Sequence, residues 1–348
     1  MIRVHPSLLP PPPPQPPLPA PTDQPKVVPF TMLFGHSNNS SPGPDGTSYR
    51  LLKLMKDTDL GRADINDVAY AVAYPNNSHP PWEGLKVVII QKPNKAHTTF
   101  QGWRPKVLSN TTSKLGEKCI ADRIQRSHQG FYNLQYGSRK NTLATDAMVI
   151  TISQIRHELR AVSRVTLLGK DIVAAFNHLG CNPTLERIRE FSPDKLYFCT
   201  QFLTPRTFQI HWDGQPRGKG GMTEGTPQAS PLSPVLCLFF LARTLRRADN
   251  AIMNIHPDTR RTSQRHAATR AAPSVQVNLM SYADDVNHIV VTRGTSRREY
   301  TRICGKVNEH LEENARKDNL GWDPQKDSRV TSGTGPIQFT TTLGITIN

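Results

Sequence analysis

The chain has 348 residues, long enough for two or three domains and a substantial core. Hydrophobic residues make up 36%, which is ordinary for a folded chain, and no apolar run approaches the length of a bilayer span, so no membrane partner is expected. Forty-three Lys and Arg against 28 Asp and Glu leave a net charge of +15, a surplus that points to a polyanionic partner whose binding weakens with salt. The five cysteines (Cys119, Cys181, Cys199, Cys237 and Cys304) form no Cys-x-x-Cys pair. That argues against a zinc site and a disulfide framework, and leaves them as small buried apolar residues. The first 22 residues are dominated by proline instead of an apolar helix, so no signal peptide is expected and the setting is intracellular and reducing.

In chain order, residues 1–36 are read as a disordered, proline-rich segment, with 6–22 extended as polyproline II. That tract is either a docking site for a proline-binding module or a flexible tether; composition alone favours the tether. From Leu85 the chain is expected to fold. Lys86 to Gln91 reads as a buried strand, and Leu115, Cys119, Ile120 and Ile124 mark one face of a short helix. Val149, Ile152, Ile155, Leu159 and Val162 step by three or four, predicting a longer helix. The apolar run Val165 to Leu168 predicts a strand ending near Asp171, with Phe176 five residues on. A turn-rich loop, Gly225 to Pro234, feeds an apolar helix over Val235 to Leu241. Residues 256–274, with Arg260, Arg261, Arg265 and Arg270 among small polar residues, read as an inserted basic surface loop. Tyr300, Ile303, Val307 and Leu311 define a last amphipathic helix. Strands and helices alternate without a regular βαβ beat, so the fold class is α+β, helices backing a small antiparallel sheet.

The densest chemistry lies at Ser281-Tyr282-Ala283-Asp284-Asp285-Val286. Strand-like runs, Val275 to Met280 and Ile289 to Val291, flank it, so the two adjacent carboxylates cap a tight hairpin. Like charges at such a turn repel, and a divalent cation would remove the repulsion. Magnesium suits this setting because it takes one or two carboxylates together with substrate phosphates.

Asp171 with Phe176, the Pro-Gln loop and the Tyr-Ala-Asp-Asp hairpin, in that order, resemble the palm of reverse transcriptases. The likeness is to the non-long-terminal-repeat (LINE-type) retrotransposon branch. Ser41-Pro42-Gly43-Pro44-Asp45-Gly46 is similar to its opening block. Lys92-Pro93-Asn94-Lys95 followed by Trp103-Arg104-Pro105 resembles its fingers motif. Lys114 to Lys118, Gln135 to Arg139, Phe202 to Thr207 and Leu343-Gly344-Ile345 match further blocks, so the likeness covers residues 37–348. It implies the fingers and palm of a right-hand polymerase, with fingers over 37–160 and palm over 161–348. The helical thumb, an endonuclease and a zinc knuckle are expected to be missing.

The resemblance also implies roles. Asp171, Ile172, Asp284 and Asp285 would hold two metals, Mg2+ or Mn2+, about 3.5–4 Å apart. Catalysis would rest on Asp171, Asp284 and Asp285, with Lys326 as proton donor to the departing pyrophosphate. Lys92 and Arg104 would clamp the triphosphate. Phe176 would select deoxynucleotides by crowding a 2′-hydroxyl, and Gln228 would sit by the template base. The partners implied are an RNA template, a DNA primer and deoxynucleoside triphosphates. Two residues depart from the family pattern: Ala229 stands where glycine is usual, and Lys106 replaces an aliphatic side chain. Two alternatives stay open on sequence: a truncated, inactive nucleic-acid-binding relic, and an intron-maturase-like enzyme. The LINE-type reading places the protein in the nucleus, the maturase reading in the mitochondrion.

Overall fold

The computed structural model describes residues 37–73, 84–93, 102–127, 130–161, 163–204, 206–253, 274–283, 285–324 and 326–332, with residues 33, 96, 98, 99, 255, 259 and 260 besides. The proline tract at 6–22, Asp284, Leu343 to Ile345 and nearly all of the basic stretch 256–274 lie outside the described residues.

Two helices, α1 (Tyr49–Met55) and α2 (Asp59–Ala73), precede the strands β1 (Leu85–Gln91) and β2 (Trp103–Leu108) and the helix α3 (Thr111–Arg126). The short strand β3 (Gln135–Tyr136), helix α4 (Ala144–Arg160) and strand β4 (Arg164–Asp171) follow. Next come α5 (Cys181–Phe191), α6 (Leu196–Leu203), β5 (Arg206–Trp212), β6 (Gln215–Met222) and α7 (Ser233–Met253). The last elements are β7 (Thr259–Arg260), β8 (Ser274–Tyr282), β9 (Asp285–Arg293), α8 (Arg297–Lys317) and β10 (Ser328–Thr331).

The strands form two sheets. One has the order β2-β1-β5-β6, so residues 206–222 join strands more than a hundred residues earlier, Leu85 pairing in parallel with Phe208. The other runs β10-β4-β9-β8-β3, antiparallel except for two-residue parallel pairings of β3 and β7 with β8. Its faces follow the period of two. Val275, Val277 and Val290 meet Tyr300, Ile303 and Val307 of α8, while Val165, Leu167, Ile289 and Val291 meet Ile155 of α4 on the other side.

Helix α7 is buried at every position from Val235 to Ala242, which suits a helix at the centre of the molecule. Helix α8 starts where the Ser296 hydroxyl accepts from the Glu299 amide at 3.2 Å, and Arg316 and Lys317 meet the negative end of its dipole. The four apolar positions expected to face inward, Tyr300, Ile303, Val307 and Leu311, are all buried.

Helix α4 departs from its predicted stripe. Val149 is 59% exposed, whereas Ala147, Thr151 and Glu158 are buried. An ion pair rotates the helix: Glu158 accepts from Arg293 at 2.6 Å and from Ser163 at 3.2 Å, and this compensates a carboxylate that turns toward the sheet. The cysteines are all free, three of them buried.

Candidate active site

Strand β4 ends on Asp171 and β9 begins on Asp285, and the two are register partners across the antiparallel ladder. Partners of this kind project to the same face, with Cβ atoms about 4.5–5.5 Å apart. On the other side of β9, Tyr282 pairs with Asp285, so two residues link β8 to β9. Ala283, the first of them, has φ +53°, the left-handed geometry that two-residue hairpins demand.

The Gln-Tyr-Gly block props this hairpin. The Ser281 amide donates to Leu134 at 3.0 Å and the Ala283 amide to Tyr136 at 3.1 Å. Gly137 has φ +76°, and a Cβ there would lie 2.7 Å from the Ala283 nitrogen, so only glycine lets the block approach. Behind it, the buried Gln135 side chain accepts from the Tyr132 amide and donates to Leu238 of α7, anchoring the prop to the central helix.

Lys326 reaches the carboxylate directly, its Nζ 2.7 Å from Asp171 Oδ2. It stands on a loop that docks beside the end of β4. The Val173 amide donates to Gly321 and the Asp323 amide to Asp171, forming a bridge between Ile172 and Trp322. In a bridge of this type the central residue's own N–H and C=O point away from its partner, so the Ile172 carbonyl projects toward β9. The Ile172 side chain is buried in the main core.

The neighbouring Lys170 is 4% exposed at its side chain and is paired twice, with Glu312 of α8 at 3.0 Å and Asp327 at 2.8 Å. Burial raises the Glu312 carboxyl, but the Lys170 hydrogen bond and charge outweigh this and hold it below the usual carboxylate range. Sequence reasoning missed these three residues. The signal was a lysine inside an otherwise apolar strand run.

The Pro-Gln loop is pinned to the turn that carries Phe176. The Thr226 amide donates to the Phe176 carbonyl at 2.8 Å, and a Cβ on Gly225 (φ +77°) would lie 2.7 Å from that oxygen. The Phe176 ring packs half-buried against the main core. Farther along the loop, Ser230 donates to the buried Glu117 of α3 at 2.5 Å, a second contact that the sequence did not announce. Gln228 is exposed and lines a cleft of about 480 Å³ with Val88, Ile90, Lys106, Lys114 and Lys118. Burial pulls the Lys114 pKa below its ordinary value, against the opposing charges of Glu117 and Asp45.

Lys92 and Arg104 lie at one end of the β1–β2 ribbon. Arg104 pairs with Ile90, and Ile90, Val88 and Lys106 line the cleft, so strand alternation puts Arg104 on the cleft face. Lys92 follows the end of β1, its amide donating to Gly102 at 2.8 Å. The ribbon brings Lys92 and Arg104 together; no contact joins them to Asp171. Asp45 of the opening block accepts from Thr112 at 3.1 Å and so ties that block to the start of α3.

The donor set suits a hard cation. Two carboxylates face each other, a main-chain carbonyl points to the same edge, and an ammonium already lies against Asp171 where positive charge is needed. Among the described residues, which leave out Asp284, no three His, Cys, Asp or Glu are grouped so that they could hold a metal ion.

Comparison with known proteins identifies the family. Residues 90–345 match the family model described as "Reverse transcriptase (RNA-dependent DNA polymerase)". The RNA-directed DNA polymerase from mobile element jockey of Drosophila melanogaster is 23% identical over 206 residues, 58% of this chain and 22% of the relative. Its Drosophila funebris counterpart is 24% identical over 320 residues, 88% of this chain and 31% of the relative. The probable RNA-directed DNA polymerase from transposon BS is 23% identical over 165 residues, 46% of this chain and 18% of the relative. The chain thus spans between 18% and 31% of the length of these relatives. A telomerase structure from Candida tropicalis, truncated from its C-terminal domain, aligns with TM-score 0.47 and 12% identity over 83% of this chain and 56% of that one. The family match covers most of the chain, and the chain belongs to the reverse transcriptase family, in a LINE-type, α+β form.

Proposed function

We propose that this chain copies an RNA template into DNA, adding deoxynucleotides to a primer 3′-hydroxyl at the Asp171–Asp285 edge. The observation that carries the reading is the register of those two carboxylates, at the facing ends of β4 and β9 and 114 residues apart in sequence. Asp171, Asp285 and Asp284 would hold the divalent cations, with the Ile172 carbonyl as a further ligand. Bound there, magnesium, or manganese in its place, would supply the Lewis acidity that activates the hydroxyl and steadies the leaving pyrophosphate.

The chain's own residues do the rest. Lys92 and Arg104 clamp the triphosphate, and Lys326 gives a proton to the pyrophosphate oxygen. Phe176 lies beneath the incoming sugar and excludes a 2′-hydroxyl. Gln228 and its loop align the template base. Template and primer are RNA and DNA, drawn to the +15 chain through their phosphates. Nuclear action belongs to the same proposal. Among the described residues no helix is long and apolar enough to cross a membrane.

The test is dTTP incorporation on poly(rA) primed with oligo(dT), with Mg2+ present and withheld. Incorporation that needs the metal and vanishes in Asp171→Asn supports the reading. Template binding that falls steeply with salt but yields no product in any metal would leave a binding protein instead.

A further inference from the structure

The loop that carries Lys326 interrupts the pairing along β4 between Ile172 and Gly169. Gly169 of β4 pairs with Ser328, and Ile172 bridges Trp322, so residues 170 and 171 on one strand lie opposite a longer segment that carries Asp323, Lys326 and Asp327. The Asp323 amide keeps a backbone bond to the Asp171 carbonyl, and side chains add to the hold on the loop. They do so through two adjacent ion pairs of opposite polarity. Lys170 holds Asp327 at 2.8 Å, and the next residue, Asp171, holds Lys326 at 2.7 Å.

The two pairs differ in kind. Lys170 and Asp171 are neighbours on a strand and project to opposite faces. The Lys170 side chain is 4% exposed; it also binds Glu312 at 3.0 Å and lies 5.6 Å from the centre of the Trp322 ring. Asn308 in turn donates to Glu312 at 2.8 Å, so the anchor is built into α8. Lys326 is 60% exposed and its partner Asp171 is 15% exposed. Asp327 is 40% and Glu312 33% exposed, so the difference lies at the lysines. Screening leaves the exposed Lys326 weakly held and exchangeable, whereas the buried Lys170 is held by two carboxylates at once.

Resting on the polymerase reading above, we propose that Lys170 is a positioning residue that acts through Lys326. Its grip on Asp327 and Glu312 keeps Asp327 against β4, and this holds the neighbouring Lys326 ammonium within reach of the reacting phosphate and of Asp171. Lys170 touches neither substrate nor metal. Lys326 moves between the carboxylate and the pyrophosphate while its neighbour Asp327 stays on Lys170.

The experiment is a double-mutant cycle with single-turnover incorporation as the readout. Asp327→Asn should lower the rate by roughly 10- to 100-fold, as displacement of a catalytic group does, with nucleotide affinity little changed. In a Lys326→Met background the same Asp327→Asn change should have no further effect, because nothing remains to position. Lys170→Arg should recover more of the rate than Lys170→Met. Amide exchange supplies a readout independent of turnover: Lys170→Met should speed exchange at Asp323 and Lys326 and leave α7 unchanged. Effects of Asp327→Asn and Lys326→Met that simply multiply would overturn the proposal, as would exchange in the loop that is indifferent to Lys170. A wild-type chain that incorporates nothing would fell the polymerase reading first, and the positioning role with it.

Discussion

Asp171 and Asp285 face each other across β4 and β9, and the Lys326 ammonium lies on Asp171 at 2.7 Å. Two like charges directly opposite on one sheet face destabilise it unless positive charge is brought to them. The fold brings one such charge on its own loop and leaves the edge open for more. This explains in physical terms why a small sheet ends on carboxylates where apolar or turn-forming residues would serve folding better.

Replacing either carboxylate should separate activity from stability. Asp171→Asn and Asp285→Asn should each reduce incorporation by roughly 100-fold or more, since charge stabilisation at the reacting phosphate is lost. Unfolding free energy should change by less than about 1 kcal/mol, because Lys326 is largely exposed and the like-charge opposition is relieved. Denaturant titration beside primer extension measures both.

Gly137→Ala strikes the hairpin from behind. The positive φ costs about 1–2 kcal/mol for a residue with a Cβ, and that Cβ would meet the Ala283 nitrogen at 2.7 Å. The expected result is lower stability together with a lower rate, because the turn that carries the second carboxylate must shift. An equally large stability loss with an unchanged rate would mean that the prop does not set the hairpin.

Phe176→Val should relax sugar selection. The ring is half-buried, so the loss of stability should stay below the 3–5 kcal/mol typical of a fully buried phenylalanine. Preference for dTTP over UTP should fall by roughly 10- to 200-fold, the span that steric discrimination covers. Competition between the two nucleotides on one template gives the ratio.

His288 makes a pH prediction. Burial first, then the Lys170 charge, pushes its pKa down to about 3, against a hydrogen bond with the Leu168 backbone. The unfolded chain binds this proton near pH 6.5 and the folded chain does not, so stability contributed by the neutral ring is present above pH 6.5 and is lost as pH falls toward 3. The loss is about 1.4 kcal/mol per pH unit within that window. His288→Gln should flatten the slope of unfolding free energy between pH 6.5 and 4.5 relative to the wild type.

Much of the palm was legible because short-range patterns carry it. Strand-like runs on either side of Asp284 and Asp285 predict a hairpin, and β8 and β9 form one. The spacing of Tyr300, Ile303, Val307 and Leu311 predicts the buried face of α8. Long-range pairing was not legible. Nothing local says that Leu85 will lie beside Phe208, or that Lys170 will find Asp327 157 residues away. Helix α4 shows the other limit: periodicity cannot foresee that Arg293 will draw Glu158 inward and leave Val149 in solvent. The carboxylates, Lys326, Phe176 and Gln228 were named from their motifs, and the contacts that hold their loops, Glu117 with Ser230 and Lys170 with Asp327, were not.

The central claim is tested most directly by extending a labelled DNA primer by one nucleotide on a defined RNA template, offering each deoxynucleotide separately with Mg2+. The account predicts that the nucleotide complementary to the next template base is added, that the other three are added poorly, and that Asp285→Asn adds none. Addition that ignores the template base, or that survives in Asp285→Asn, would contradict it.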